Sequence, residues 1–121
     1  MRYLISIIIL LLITGCAGQP IKMELAPQVV EQMNAIYNPV LEKGFCVSDR
    51  VYNVLPGTPI SCMMPLCEKD SIVFHTHPCF DISCANFVDV ESWKQYKERY
   101  GNNLFGVMCG KGRYKIYNLN Q

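Results

Sequence analysis

Histidine is scarce in this chain, with two among 121 residues, and charged residues make up only 17%. The charges nearly cancel at +1, and no dense run of lysine and arginine occurs. Phosphate binding needs a concentrated basic face, so the balance argues against a nucleic-acid partner and fits a small-molecule or protein substrate better. Repeats and low-complexity tracts are missing. Also missing is an apolar run of the roughly 18–20 residues that a confident membrane span requires. Hydrophobic residues, by contrast, form 50% of the chain, which suits a globular domain with a core.

The N-terminus differs in kind from the rest. Met1-Arg2 carries one positive charge ahead of "YLISIIILLLIT", a nearly unbroken apolar run of twelve. That length and charge placement match the hydrophobic core of a signal peptide. The run ends in "ITGC", Ile13 to Cys16, which resembles a bacterial lipobox: a branched apolar residue, two small ones, then the cysteine that is lipidated. The plain alternative is an uncleaved anchor with an incidental cysteine. We read residues 1–15 as a lipoprotein signal peptide, Cys16 as the lipidation site, residues 16–26 as a lipidated tether, and residues 27–121 as the folded domain. The expectation is a membrane-anchored lipoprotein of the cell envelope, on its periplasmic or extracellular side. Ala17, where an aspartate is absent, resembles onward sorting to an outer membrane in enteric-type bacteria.

Six further cysteines follow: Cys46, Cys62, Cys67, Cys79, Cys84 and Cys109. Export exposes thiols to oxidising chemistry, so an even count suggests up to three disulfides, with 15 possible pairings. A competing reading takes "CMMPLC" and "CFDISC", both spaced C-x4-C, as two halves of a four-thiolate zinc site. The spacing is wider than the usual C-x2-C knuckle, and export favours disulfides.

"PQVVEQMNAIYNPVLEKG" sets Val29, Val30, Met33, Ile36 and Tyr37, then Val40 and Leu41, at spacings of three and four. This predicts a helix that starts at Pro27, breaks or kinks at Pro39, and is over by Gly44. "GFCVSDRVYNVL" reads as one or two strands whose buried face is ambiguous, followed by a "PGTP" loop and irregular chain over 61–70. "SIVFHTH" predicts a short central strand ended by Pro78. A second helix follows, starting at Val88 or Asp89, with Trp93, Tyr96 and Tyr100 as its stripe and Gly101 as its stop. "LFGVMCGKGRYKIYNL" predicts a hairpin. Strands and helices interleave, so the fold class expected is α/β or α+β: a mixed β-sheet flanked by helices, as one domain.

Both histidines lie in "IVFHTHPCF". On a strand, residues i and i+2 leave the same face, so His75 and His77 converge while Thr76 points away. Two imidazoles on one rigid edge suit zinc. The plain alternative is a pair of core or surface histidines. A catalytic zinc needs a third protein ligand and an open position. Among Asp81, Asp89 and Glu91, Asp89 is best placed, at a helix start where the dipole favours a carboxylate; otherwise it is a simple cap. Glu42, expected at the end of the first helix, is the candidate base, with an ordinary solvated glutamate as its alternative.

"HTHP", then a loop, then "NFVDVESW", with "LEKGFCV" upstream, resembles the JAMM (MPN+) zinc metalloprotease family. That family's pattern is a glutamate before the first long strand, then H-x-H-P, then S-x-x-D. The likeness spans roughly residues 27–119. It implies a JAMM/MPN-like fold, zinc held by His75, His77 and Asp89, and Glu42 polarising the bound water. The family's serine is displaced. With Asp89 as ligand, Asn86 occupies its position and can still donate a hydrogen bond; the other register keeps Ser83 but puts Asn86 at the ligand position. We prefer Asp89, because "VESW" fits behind it and asparagine is a poor zinc ligand. The activity implied is hydrolysis of a peptide or isopeptide bond, and an envelope location favours a peptide or cell-wall peptide amide. The alternative function is a non-catalytic JAMM-like binding lipoprotein stabilised by disulfides. Cys79 and Cys84 flank the loop that delivers Asp89. Oxidised together they would staple it, the outcome an exported protein favours; reduced, either would compete for the zinc as thiolate. Cys62 and Cys67 are alternative partners.

Overall fold

The computed structural model describes residues 20–78 and 87–120. The expected signal peptide, the expected lipidation site Cys16, and the residues Cys79, Ser83, Cys84 and Asn86 lie outside those residues. Helix α1 spans Pro27–Ile36 and begins with proline, whose fixed φ and missing N–H suit a first turn. Val29 and Met33 are its buried residues. The helix stops sooner than its apolar spacing suggests. Asn38 precedes Pro39, which disfavours helical backbone there, and the Asn38 side chain accepts from the N–H groups of Val40 (2.8 Å) and Leu41 (3.0 Å). Val40 and Leu41 consequently leave the stripe and are exposed, at 56% and 37%. Glu42 therefore does not end a helix, as the sequence suggested; it follows this turn and precedes the first strand.

Strand β1 (Lys43–Val47) turns into β2 (Val51–Pro56), and β3 (Ile72–Thr76) pairs with the other side of β1. Helix α2 (Phe87–Tyr100) then carries the chain to β4 (Leu104–Met108), which lies parallel to β3, before the antiparallel β5 (Tyr114–Asn118). A parallel pair needs such a crossover. The sheet order is β2-β1-β3-β4-β5, and the described residues form one small α+β domain with a mixed five-stranded sheet and two helices. β2 is an edge strand with little burial on either face, which is why its pattern is ambiguous. It carries an extra residue opposite β1, where Asn53 takes φ +52°, a conformation that asparagine tolerates.

β3 is buried along its whole length. Alternate residues face different layers. Ile72 and Phe74 join Val29, Met33 and Phe45 under α1, while Val73 joins Trp93, Tyr96, Phe105 and Tyr117 under α2. Trp93 stacks on Phe105 at 5.4 Å and leans on Tyr117 at 5.3 Å. Burying side chains of this size contributes roughly 1.5–3 kcal/mol each, which fixes α2 on the sheet. Ile21 bridges to Ile116 on the β5 edge, and Leu25 packs on the core. The chain thus meets the domain before Pro27, within the segment expected as a tether. Among the described residues no helix is long and apolar enough to cross a membrane.

Candidate metal centre

The central position of β3 decides where the histidines stand. His75 is paired with Gly44 of β1 on one side and Val107 of β4 on the other. His77 lies one residue beyond the strand end, yet its N–H donates to the Met108 carbonyl at 2.8 Å and its carbonyl accepts from the Tyr37 hydroxyl at 3.1 Å. Both backbones are therefore anchored, and both rings reach the α2 side of the sheet. Asp89 sits in the first turn of α2, where the N-terminal dipole favours a carboxylate. Trp93, one turn further on the same helix face, packs against the His75 ring at 6.0 Å. The same tryptophan that anchors the helix thus brings Asp89 to the histidines.

The Nε2 atoms of His75 and His77 are 2.8 Å apart. Asp89 Oδ1 lies 3.3 Å from His75 Nε2, and Oδ2 lies 3.4 Å from His77 Nε2. One ligand atom from each residue falls within 4.8 Å of the others. Around a tetrahedral ion with bonds of about 2.0–2.1 Å, neighbouring ligand atoms stand roughly 3.3 Å apart. Each histidine meets one Asp89 oxygen at that spacing, the two contacts using different oxygens of the carboxylate. The His–His edge is shorter and fits an Nε2–H···Nε2 hydrogen bond, so a metal would replace that proton and open the edge by about 0.5 Å. Both histidines are buried, at 9% and 4% exposure. This group can hold a metal ion.

Glu42 lines the same cleft as His75 and Asp89, a cavity of about 160 Å³ that also touches Ile60, Cys62 and Trp93. Two backbone bonds fix the approach of Glu42: its own N–H donates to the Thr58 carbonyl at 2.9 Å, and the Lys43 N–H donates to Thr76 Oγ1 at 2.8 Å. The four residues singled out for ligation and base chemistry are therefore brought together. Asn86, Ser83 and the cysteines of the expected Cys79–Cys84 staple lie outside the described residues.

The four-thiolate alternative fails. Cys67 is bonded to Cys46, so "CMMPLC" does not offer two thiolates. Cys62 keeps a free thiol in the cleft, and its pKa is pushed up from 9.0 to about 12 by burial, then by Glu42 and Asp89. Sequence reasoning treated residues 61–70 as plain irregular chain and missed that Ser61, Cys62 and Met64 form a wall of the site. Ser92, one turn after Asp89, also lines it. Only its i+3 spacing from Asp89 hinted at that.

No family model, curated protein or solved structure matches the chain. The functional reading therefore rests on the donor set and its surroundings.

Proposed function

We propose that the protein is a zinc-dependent metallopeptidase or isopeptidase of the JAMM (MPN+) type, tethered to the cell envelope through a lipid on Cys16. The observation that carries this reading is one: His75, His77 and Asp89 converge within 4.8 Å, and His75 and Asp89 line a cleft together with Glu42. The order of parts supports it, with a glutamate ahead of β1, H-x-H-P at the end of β3 and an aspartate at the start of the next helix. Two imidazoles and one carboxylate are three protein ligands, the number typical of a catalytic zinc that keeps a position open. Zinc bound there supplies Lewis acidity and a water acidic near neutral pH.

The chain's own groups supply the rest. The Glu42 carboxylate accepts the proton of the attacking water and returns it to the leaving amine nitrogen. The imidazoles are fixed by β3 and its neighbours, so little reorganisation is needed when substrate arrives. Asn86, or Ser83 in the other register, donates to the developing oxyanion, a role worth about 2.7–4 kcal/mol. The Cys46–Cys67 disulfide supports export, because such bonds persist in oxidising compartments. The same bond favours a second reading, a non-catalytic JAMM-like binding lipoprotein stabilised by disulfides.

Hydrolysis separates the two. The zinc-loaded full chain is incubated in detergent with peptide and cell-wall peptide libraries, beside Glu42→Gln. Cleavage that falls by about 10²–10⁴-fold in the variant, at equal zinc content, supports the peptidase. A parent that binds zinc and cleaves no amide supports the binding module.

A further inference from the structure

We propose that the cleft carries, beside the His75-His77-Asp89 group, a subsite between Ile60 and Val88 for an uncharged apolar side chain, so that the substrate peptide has a leucine- or phenylalanine-like residue next to the cut bond. This deepens the hydrolase reading and rests on it. Ile60 and Val88 are among the most exposed large hydrophobic residues of the described chain, at 87% and 73%. Both line the cleft. They come from different elements, the turn after β2 and the first turn of α2, so their presence on one cleft is a product of the fold. Apolar side chains left in water at the mouth of a concave polar site mark a place where an apolar partner is expected.

Size and charge narrow the occupant. The whole cleft, the space at His75, Asp89 and Glu42 included, measures about 160 Å³, so the part beside Ile60 and Val88 holds one side chain and no more. Its inner surface beyond the rim continues with Met64 and Trp93. Among the described residues lining the cleft, the carboxylates are Glu42 and Asp89 and no lysine or arginine is present. On the hydrolase reading both carboxylates are committed to zinc and its water, so an acidic or a basic side chain would find no counter-charge of its own beside Ile60 and Val88. An uncharged apolar group meets no such penalty.

The wall that presents Ile60 is preformed. Thr58 Oγ1 accepts from the N–H groups of Ile60 (3.3 Å) and Ser61 (3.1 Å). Further along, the Tyr96 hydroxyl donates to the Pro65 carbonyl at 2.8 Å, and Cys67 is bonded to Cys46. A side chain entering beside Ile60 therefore orders little that is not already ordered, which favours binding.

Hydroxamates test this without turnover, since they anchor on zinc and can carry a chosen substituent. The affinity of the zinc-loaded full chain is measured for methyl, isobutyl, benzyl, carboxyethyl and aminobutyl hydroxamates, substituted on the acyl carbon or on nitrogen. In one of the two series, isobutyl or benzyl should bind at least about tenfold tighter than methyl, with both charged probes weaker than isobutyl. Ile60→Ser and Val88→Ser, each checked for zinc content, should shrink the isobutyl-to-methyl ratio towards one. Equal affinities across both series overturn the subsite and leave the hydrolase reading in place. Tightest binding of the aminobutyl probe overturns it in favour of a basic side chain. A zinc-loaded chain that binds none of the hydroxamates overturns both readings.

Discussion

The backbone N–H of Glu42 donates to the carbonyl of Thr58 at 2.9 Å, so the carboxylate assigned as base hangs from the turn that follows β2. Gly57 makes this approach possible. A Cβ there would stand 2.5 Å from both the Glu42 and Ser61 carbonyl oxygens, far inside van der Waals contact, and backbone cannot yield as a flexible side chain would. Gly57→Ala should destabilise the fold by about 1–3 kcal/mol and lower amide hydrolysis while zinc stays bound. Thermal melting and elemental analysis read the two effects. Parental stability in Gly57→Ala would show that the turn and Glu42 do not pack this closely.

The Cys46–Cys67 bond closes a loop with a sequence separation of 21, and that loop contains the wall of the cleft. Chain-entropy reasoning gives about 3 kcal/mol for a closure of this length. The paired variant Cys46→Ala/Cys67→Ala should lose about that much in denaturant unfolding, and amides of residues 57–67 should exchange faster. No change in either would mean the bond is not formed in the protein.

Cys62 provides a pH signature. Its thiol is held protonated up to about pH 12 by burial first, then by Glu42 and Asp89. At pH 9 an ordinary thiol is about half ionised, while Cys62 stays almost wholly protonated. Iodoacetamide should therefore label Cys62 of the metal-free chain far more slowly than a peptide thiol at pH 8–9, as followed by mass mapping. Glu42→Gln removes one of the charges that raise it and should speed the labelling. The unfolded thiol ionises near pH 9 while the folded one keeps its proton, so this group's contribution to stability declines from about pH 9 towards 12. Labelling as fast as a free peptide thiol would contradict the burial of Cys62 in the cleft.

Much of the site was legible in local pattern. "SIVFHTHP" marks a strand by its β-branched and aromatic residues, and a spacing of two puts both imidazoles on one face. Asp89 follows from the start of a helix whose stripe of Trp93 and Tyr96 is buried as the spacing requires. The errors have equally local causes. The apolar spacing of three and four ran on through Val40 and Leu41, but the Asn38-Pro39 turn overrides it and returns both residues to solvent. The pairing of Cys46 with Cys67 joins residues that only the fold brings together. Residues 61–70 carry no periodicity. Their course is set by single bonds from other elements, such as Asn53 Nδ2 to the Leu66 carbonyl at 2.7 Å. A pattern-based reading has no access to contacts of that kind.

The sequence singled out His75, His77, Asp89 and Glu42; the structure brings the first three within 4.8 Å of one another and lines one cleft with Glu42, His75 and Asp89. What converts that geometry into a claim about function is the metal. The most direct measurement is zinc per chain, by elemental analysis of the full-length protein purified in detergent under oxidising conditions, beside His77→Ala and Asp89→Ala. The account predicts one zinc in the parent and loss of it in both variants, with the fold retained. A folded parent that takes up no zinc, or an Asp89→Ala variant that holds it as firmly as the parent, would contradict it.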